Sequence, residues 1–337
     1  MSQGGGLAVA EARMPGMDNP YYGFSAIDTR PRLEWPEGRP VALCVIVAAE
    51  HYDWSLAPGA YSVSPTGTPF QYGSVTDVRT YSHREYGNRV GIFRIMDVLD
   101  KYGVRATFAI DATVADQYPG LVEEARKRAW EFIGHGVAVT RMITSRMSEQ
   151  EEREYIETAL ACVERVSGTR PAGWLGPEYS ASVRTPELLA RAGVRYVCDW
   201  PNDEQPYRMK VSSGLLVSIP VLLDLDDVVS HYVRHVPIMR FGRLLKEAFQ
   251  GLRESGRTSG RLMTITVHPW LMGQPFRIKY FEDALAYIIE SGEAWRATGS
   301  EIVDWYLAHS EPESIRPEIP GSRTAAARLT ALGKRQS

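Results

Sequence analysis

Cysteine is scarce in this chain of 337 residues: Cys44, Cys162 and Cys198 are all it has. The odd number, wide spacing and lack of a Cys-x-x-Cys pair exclude a disulfide framework or a zinc knuckle. Reduced thiols in a cytoplasmic protein are the expectation. A surplus of one charge is also lacking. Thirty-eight Lys and Arg against 41 Asp and Glu leave a net charge of −3, which argues against nucleic acid or an anionic membrane as partner. No apolar run reaches the roughly 18 residues of a membrane span. Met1–Gly16 has no basic stretch leading into an apolar one, so no secretory leader is expected. Neither G-x-G-x-x-G nor G-x-x-x-x-G-K-[S/T] occurs, which removes support for a nucleotide phosphate site.

What is present is ordinary globular composition, 44% hydrophobic and 23% charged. Residues 1–19 read as a mobile N-terminus and 20–40 as an aromatic, proline-rich arm over the body or over a neighbouring subunit. Residues 41–310 read as the body and 311–337 as a loose tail. Within the body, Val41–Ala49 and Leu262–Val267 are continuous apolar runs of strand length. Val104–Ile110, Trp130–Ile133, Arg170–Leu175, Tyr196–Asp199, Leu215–Ile219 and Ala294–Ala297 are further strands. Helices are predicted at Arg89–Tyr102, Tyr118–Arg128, Met147–Ser167, Pro186–Ala192, Ile238–Glu254, Phe276–Ser291 and from about Glu301 to His309. Ser148 and Glu151 have capping-box spacing. Alternation of this kind implies parallel strands in an α/β fold, and a barrel or a doubly wound sheet both fit.

Three strand-like runs end in titratable residues of catalytic type. Val41–Ala49 runs into Glu50-His51, Trp130–Ile133 into Gly134-His135-Gly136, and Leu262–Val267 into His268. In either architecture such ends share one rim. The segment from His51 to about Tyr86 is a long loop, and its Tyr52, Trp54, Tyr61, Phe70 and Tyr72 are candidates for a lid or wall.

Lys101-Tyr-Gly-Val-Arg-Ala-Thr-Phe-Ala109, Tyr118-Pro119, Glu131-Phe-Ile-Gly-His-Gly136 and Gly168-Thr-Arg-Pro171, in this order and spacing, resemble the polysaccharide deacetylase (NodB-like) superfamily. Glu85-Tyr-Gly-Asn-Arg-Val-Gly91 and His268-Pro-Trp-Leu-Met-Gly-Gln-Pro275 are most similar to its branch of allantoinase-like cyclic amide hydrolases. The resemblance implies a single-domain, distorted (β/α)7 barrel and hydrolysis of a non-peptide C–N bond. Typical members carry an Asp-Asp pair after the first strand and two histidines about four apart after the third. Here Glu50 is the only matching carboxylate, and Val139 stands where the second histidine would. The allantoinase-like branch shares such an eroded site and implies catalysis without metal, although a divalent ion such as zinc on a rearranged ligand set stays open.

Amide hydrolysis needs an activated water, a stabiliser for the oxyanion and an acid for the leaving nitrogen. Glu50 is the candidate base or water-orienting carboxylate, with a pKa expected to rise towards neutrality by desolvation. His268 is the candidate general acid, and His135 positions the water or polarises the carbonyl. Arg89, Trp174, Glu178, Asp199 and Asp227 are candidate substrate contacts. The expected substrate is a small cytoplasmic amide, imide or ureide, handled by a homo-oligomer. A metal-dependent deacetylase of an N-acetylated sugar or amine, and a non-catalytic binding protein on a decayed barrel, remain as alternatives.

Overall fold

The computed structural model describes residues 19–56 and 77–310. Residues 1–18, 57–76 and 311–337, and with them the expected N-terminus, the C-terminal tail, Tyr61, Phe70 and Tyr72, lie outside the described residues. The polypeptide forms one curled sheet wrapped by helices, a distorted (β/α) barrel in a single domain.

Strand β1 (Val41–Ala49) is the axis of the sheet, and all nine of its residues are buried. Its unbroken apolar sequence follows from cover on both faces. Val41, Leu43, Val45, Val47 and Ala49 pack outward against the helix layer, whose largest contributions are Phe241, Phe249 and Phe281. Ala42, Cys44, Ile46 and Ala48 point the other way, into a barrel interior shared with Ile133, Leu175, Tyr196 and Val217. Small residues on this inner face leave room for the Tyr196 ring.

The other strands are β2 (Thr107–Ile110), β3 (Glu131–Gly134), β4 (Gly173–Trp174), β5 (Tyr196–Val197), β6 (Tyr207–Met209), β7 (Leu216–Ser218), β8 (Arg261–Val267) and β9 (Ala294–Arg296). Their order is β6-β7-β5-β4-β3-β2-β1-β8, with β9 also beside β1. Every pairing is parallel except β6 with β7. After β7 the chain turns irregular and crosses towards β8. Leu222 N–H donates to Thr264 Oγ1 at 2.9 Å, and Asp226 bridges Thr266. This crossing carries Asp226 and Asp227 to the rim.

The helices are α1 (Val78–Tyr86), α2 (Ile92–Lys101), α3 (Ala112–Gln117), α4 (Pro119–Lys127), α5 (Glu149–Ser167), α6 (Thr185–Arg191), α7 (Ile238–Gly256), α8 (Pro269–Met272), α9 (Ile278–Glu290) and α10 (Gly299–His309). The Ser148–Glu151 capping box is formed. Three differences from the sequence reading stand out. Helix begins at Val78 rather than Arg89, and a π-helical turn over Gly87–Gly91 joins α1 to α2. That cuts the long loop by about a quarter. Helix α3 was not foreseen, although Asp111 caps it by accepting from Val114 N–H. Strand β6 was also missed, because its polar Arg208 breaks the apolar run.

The arm packs on the body. Trp35, 1% exposed, fills the end of the barrel where β8 begins, and its Nε1–H donates to Arg261 O at 2.8 Å. The opposite end, where the strands finish, is left for the titratable groups. Among the described residues no helix is long and apolar enough to cross a membrane.

Candidate active site

Glu50, His135 and His268 meet at the C-terminal ends of β1, β3 and β8. Glu50 Oε1 lies 3.5 Å from His135 Nε2 and 3.6 Å from His268 Nε2. All three residues are buried. The strand register enforces this meeting. β1 pairs with β8 over Val41–Val47 and with β2 over Ile46–Ala49, and β2 pairs with β3, so the three strands finish at one height.

Each imidazole is oriented from behind. His135 Nδ1 lies 2.7 Å from the Leu175 carbonyl, which can only accept, so Nδ1 carries a proton, and Nε2 is turned to Glu50. His268 Nδ1 lies 2.7 Å from Asp227 Oδ1, and the same carboxylate accepts from the His268 backbone N–H. Burial pulls the His268 imidazole down, but the charges of Glu50, Asp227 and Asp226 outweigh it and push its pKa up to about 10. It is an imidazolium at neutral pH.

Glu50 departs from the sequence reading. Burial pushes its carboxyl up, as expected, but His268, Arg84 and His135 together hold it down to about 2. Arg84 Nη1 lies 2.5 Å from Glu50 Oε2, and both side chains are buried. The Arg84 guanidinium lies flat over Trp270, 4.1 Å from the ring centroid, and its Nη2 is 4.0 Å from Glu178 Oε1. Asn88 Nδ2 donates to the Glu50 carbonyl at 2.9 Å. Arg84 and Asn88 were not singled out in the sequence. They sit on the α1–π-turn segment that was read as loop.

The expected substrate contacts divide. Glu178 stands at the mouth beside Arg84, and burial followed by the Glu50 charge raises its pKa. Glu178 and Tyr179 both have left-handed backbones, φ 52° and 56°. The Tyr179 hydroxyl donates to Asp226 Oδ2 at 2.5 Å. Burial lifts Asp226 to about 6, against His268 and with the help of Asp227. Asp199 accepts from Gly176 N–H at 2.7 Å, its Oδ2 is buried without a partner among the described residues, and burial lifts it to about 7. Asp227 is turned wholly to His268. Arg89 is not brought to the mouth; its side chain is 70% exposed and 3.9 Å from Glu85. Trp174 is core, fully buried against Gly134 and Leu160. Of the aromatic wall, Tyr52 is buried and Trp54 packs edge-on against Tyr81 at 4.9 Å.

The superfamily's divalent ion does not fit these donors. Glu50 Oε2 is held by a fixed cation, Arg84, and buried Val139 stands four residues after His135. Glu50 Oε1 and the Nε2 atoms of His135 and His268 remain, and these three do not all lie within 4.8 Å of one another. Asp226, Asp227 and His268 form the one cluster among the described residues whose donor atoms lie within 4.8 Å of one another. Asp227 Oδ1 is already bonded to His268 and Asp226 Oδ2 to Tyr179.

Comparison with known proteins accords with this fold. Residues 80–197 match the polysaccharide deacetylase family. A Schizosaccharomyces pombe (strain 972) protein that carries the name polysaccharide deacetylase is 24% identical over 266 residues, 72% of this chain and 80% of its own. The crystal structure of a "probable polysaccharide deacetylase" from Pseudomonas aeruginosa PAO1 superposes with a TM-score of 0.75 at 25% identity, covering 83% of this chain and 95% of that one. That of PuuE allantoinase gives 0.75 at 23%, covering 83% and 94%. The matched family and these structural relatives, on a shared distorted (β/α) barrel, indicate the class, hydrolases of non-peptide C–N bonds. Within it, the chain is similar to the NodB-like polysaccharide deacetylase superfamily, by family model over residues 80–197 and by fold over most of its length.

Proposed function

We propose that the protein hydrolyses a C–N bond of a small cyclic amide, imide or ureide, and does so with side chains alone. The observation that carries this reading is the placement of Glu50 Oε1 within 3.6 Å of two imidazole Nε2 atoms. The ionised Glu50 orients a water through its Oε1. His135 Nε2, beside it, takes a proton as the water oxygen adds to the amide carbon. His268, an imidazolium, gives its Nε2 proton to the leaving nitrogen as the C–N bond breaks, and Asp227 stabilises it before and orients it after. The guanidinium of Arg84 keeps Glu50 charged, and with His268 it balances Glu50 and Asp227, so negative charge can build on the amide oxygen. The similarity to PuuE allantoinase supports the cyclic substrate, although at 23% identity it speaks for the fold. We further infer a soluble small-molecule substrate, a cytoplasmic setting and a homo-oligomer.

The test is turnover of a panel of hydantoins, ureides, imides and N-acetyl sugars, with metal analysis of the same preparation. Glu50→Gln and His268→Ala should each lose roughly 10²–10⁴-fold in kcat, measured below the melting temperature that loss of a buried charge partner lowers. Full activity in both variants would sink the assignment. Stoichiometric zinc, nickel or cobalt with activity confined to N-acetyl sugars would favour the metal-dependent deacetylase. Inactivity on the whole panel, together with tight retention of a ligand, would favour a binding protein.

A further inference from the structure

Trp270 gathers several groups of the mouth: Arg84 lies over its ring at 4.1 Å, and His83, Tyr232 and His268 pack on it with ring centroids 5.3, 5.5 and 6.5 Å away. Arg277 is the residue before helix α9. Its Nε and Nη1 are buried and have no hydrogen-bond partner among the described residues. Its guanidinium carbon lies 5.2 Å from the Phe276 ring centroid. The groups that feel its charge are His83, His231 and Tyr232, with Asp227 beyond them. None is a paired carboxylate. His231 cannot serve as a counter-ion, because its Nδ1 donates to Val236 O at 2.6 Å and its remaining Nε2 is neutral, buried and unpartnered. Arg84 shows the usual solution, a guanidinium seated on a carboxylate. Arg277 is half-buried, and a partly desolvated guanidinium without an anion carries a cost that a charged acceptor relieves.

We propose that Arg277 forms a carboxylate subsite at the catalytic mouth, taking an acid group of the substrate or the one that ring opening creates. The second source rests on the proposed hydrolysis. Water adds its oxygen to the amide carbon, the C–N bond breaks, the nitrogen leaves protonated as an amine or urea, and the carbon leaves as a carboxylate. A guanidinium whose charge reaches Asp227, the carboxylate that orients His268, suits the acid end of such a product. Arg89, the cation favoured on sequence, lies on the surface and pairs with Glu85.

The test is calorimetric binding of N-carbamoylglycine and, as the uncharged control, N-carbamoylglycinamide. The full chain and its Glu50→Gln, Arg277→Gln and Arg277→Lys variants are compared. Wild type and Glu50→Gln should bind the acid at least ~10-fold more tightly than the amide, the worth of a charge-assisted contact. Arg277→Gln should bind both alike, and Arg277→Lys should keep part of the preference. Equal affinities on wild type, no heat from the acid at about 10 mM, or a preference that survives Arg277→Gln would overturn the proposal. Should Arg277→Gln fail to fold, wild type and Arg277→Lys still decide it. Because binding is read without turnover, a failure of the hydrolase reading and a failure of the subsite give different results.

Discussion

The Asp227–His268–Glu50 line sets the pH behaviour of the site. His268 is held protonated to about pH 10 by three carboxylates, one of them in direct hydrogen bond. Its contribution to folded stability is therefore complete below the ordinary imidazole value of 6.5 and is lost as pH rises towards 10. For Glu50 the sense is opposite: its contribution is present above 4.5 and is lost as pH falls towards 2. Asp227→Asn removes the nearest carboxylate, so the alkaline limb of kcat should move down by roughly 1–3 units. A pH–rate profile checks this, and an unmoved limb would mean that His268 is not the acid. The strand-end residues Glu50, His135 and His268 were legible because apolar runs point straight at them. The sign of the Glu50 shift was not. It depends on Arg84 and His268, which are 34 and 218 positions away and reach Glu50 only through the fold.

At the scale of the element, the segment from Val78 to Lys101 decides what the mouth contains. Its π-turn carries Gly87 and Gly91, and a Cβ on Gly91 would stand 2.0 Å from Pro269 O. These two glycines let the turn press against the loop and helix that follow His268. Gly91→Ala should cost about 1–3 kcal/mol through overpacking, read as a lower urea midpoint. It should also reduce kcat, because Arg84 and His268 share this contact. The long strands β1 and β8 could be read from the sequence. The two-residue strands β4 and β5 were found only approximately, since each pairs with its two neighbours over only one or two residues. Helix α1 was hidden by its composition. Ser82-His83-Arg84-Glu85 has no apolar stripe, and the wider π-turn shifts the faces beyond it. The favoured cation therefore fell on Arg89 when Arg84 is the one turned inward.

Across the whole molecule the two ends of the barrel have divided tasks. Trp35 closes one with apolar bulk, and titratable groups crowd the other. Trp35→Ala should cost about 3–5 kcal/mol of stability while kcat, measured well below the lowered melting temperature, stays near wild type. A matching loss of kcat would show that the ends are coupled. The consecutive left-handed residues Glu178 and Tyr179 bear on the protein's history as well as its present shape. Such a backbone costs non-glycine residues roughly 1–2 kcal/mol each. A lineage drifting under heat alone would replace Glu178 with asparagine or glycine, which accept that geometry cheaply. At Glu178 that relief would come with the loss of the carboxylate 4.0 Å from Arg84, the negative charge that meets whatever enters the mouth.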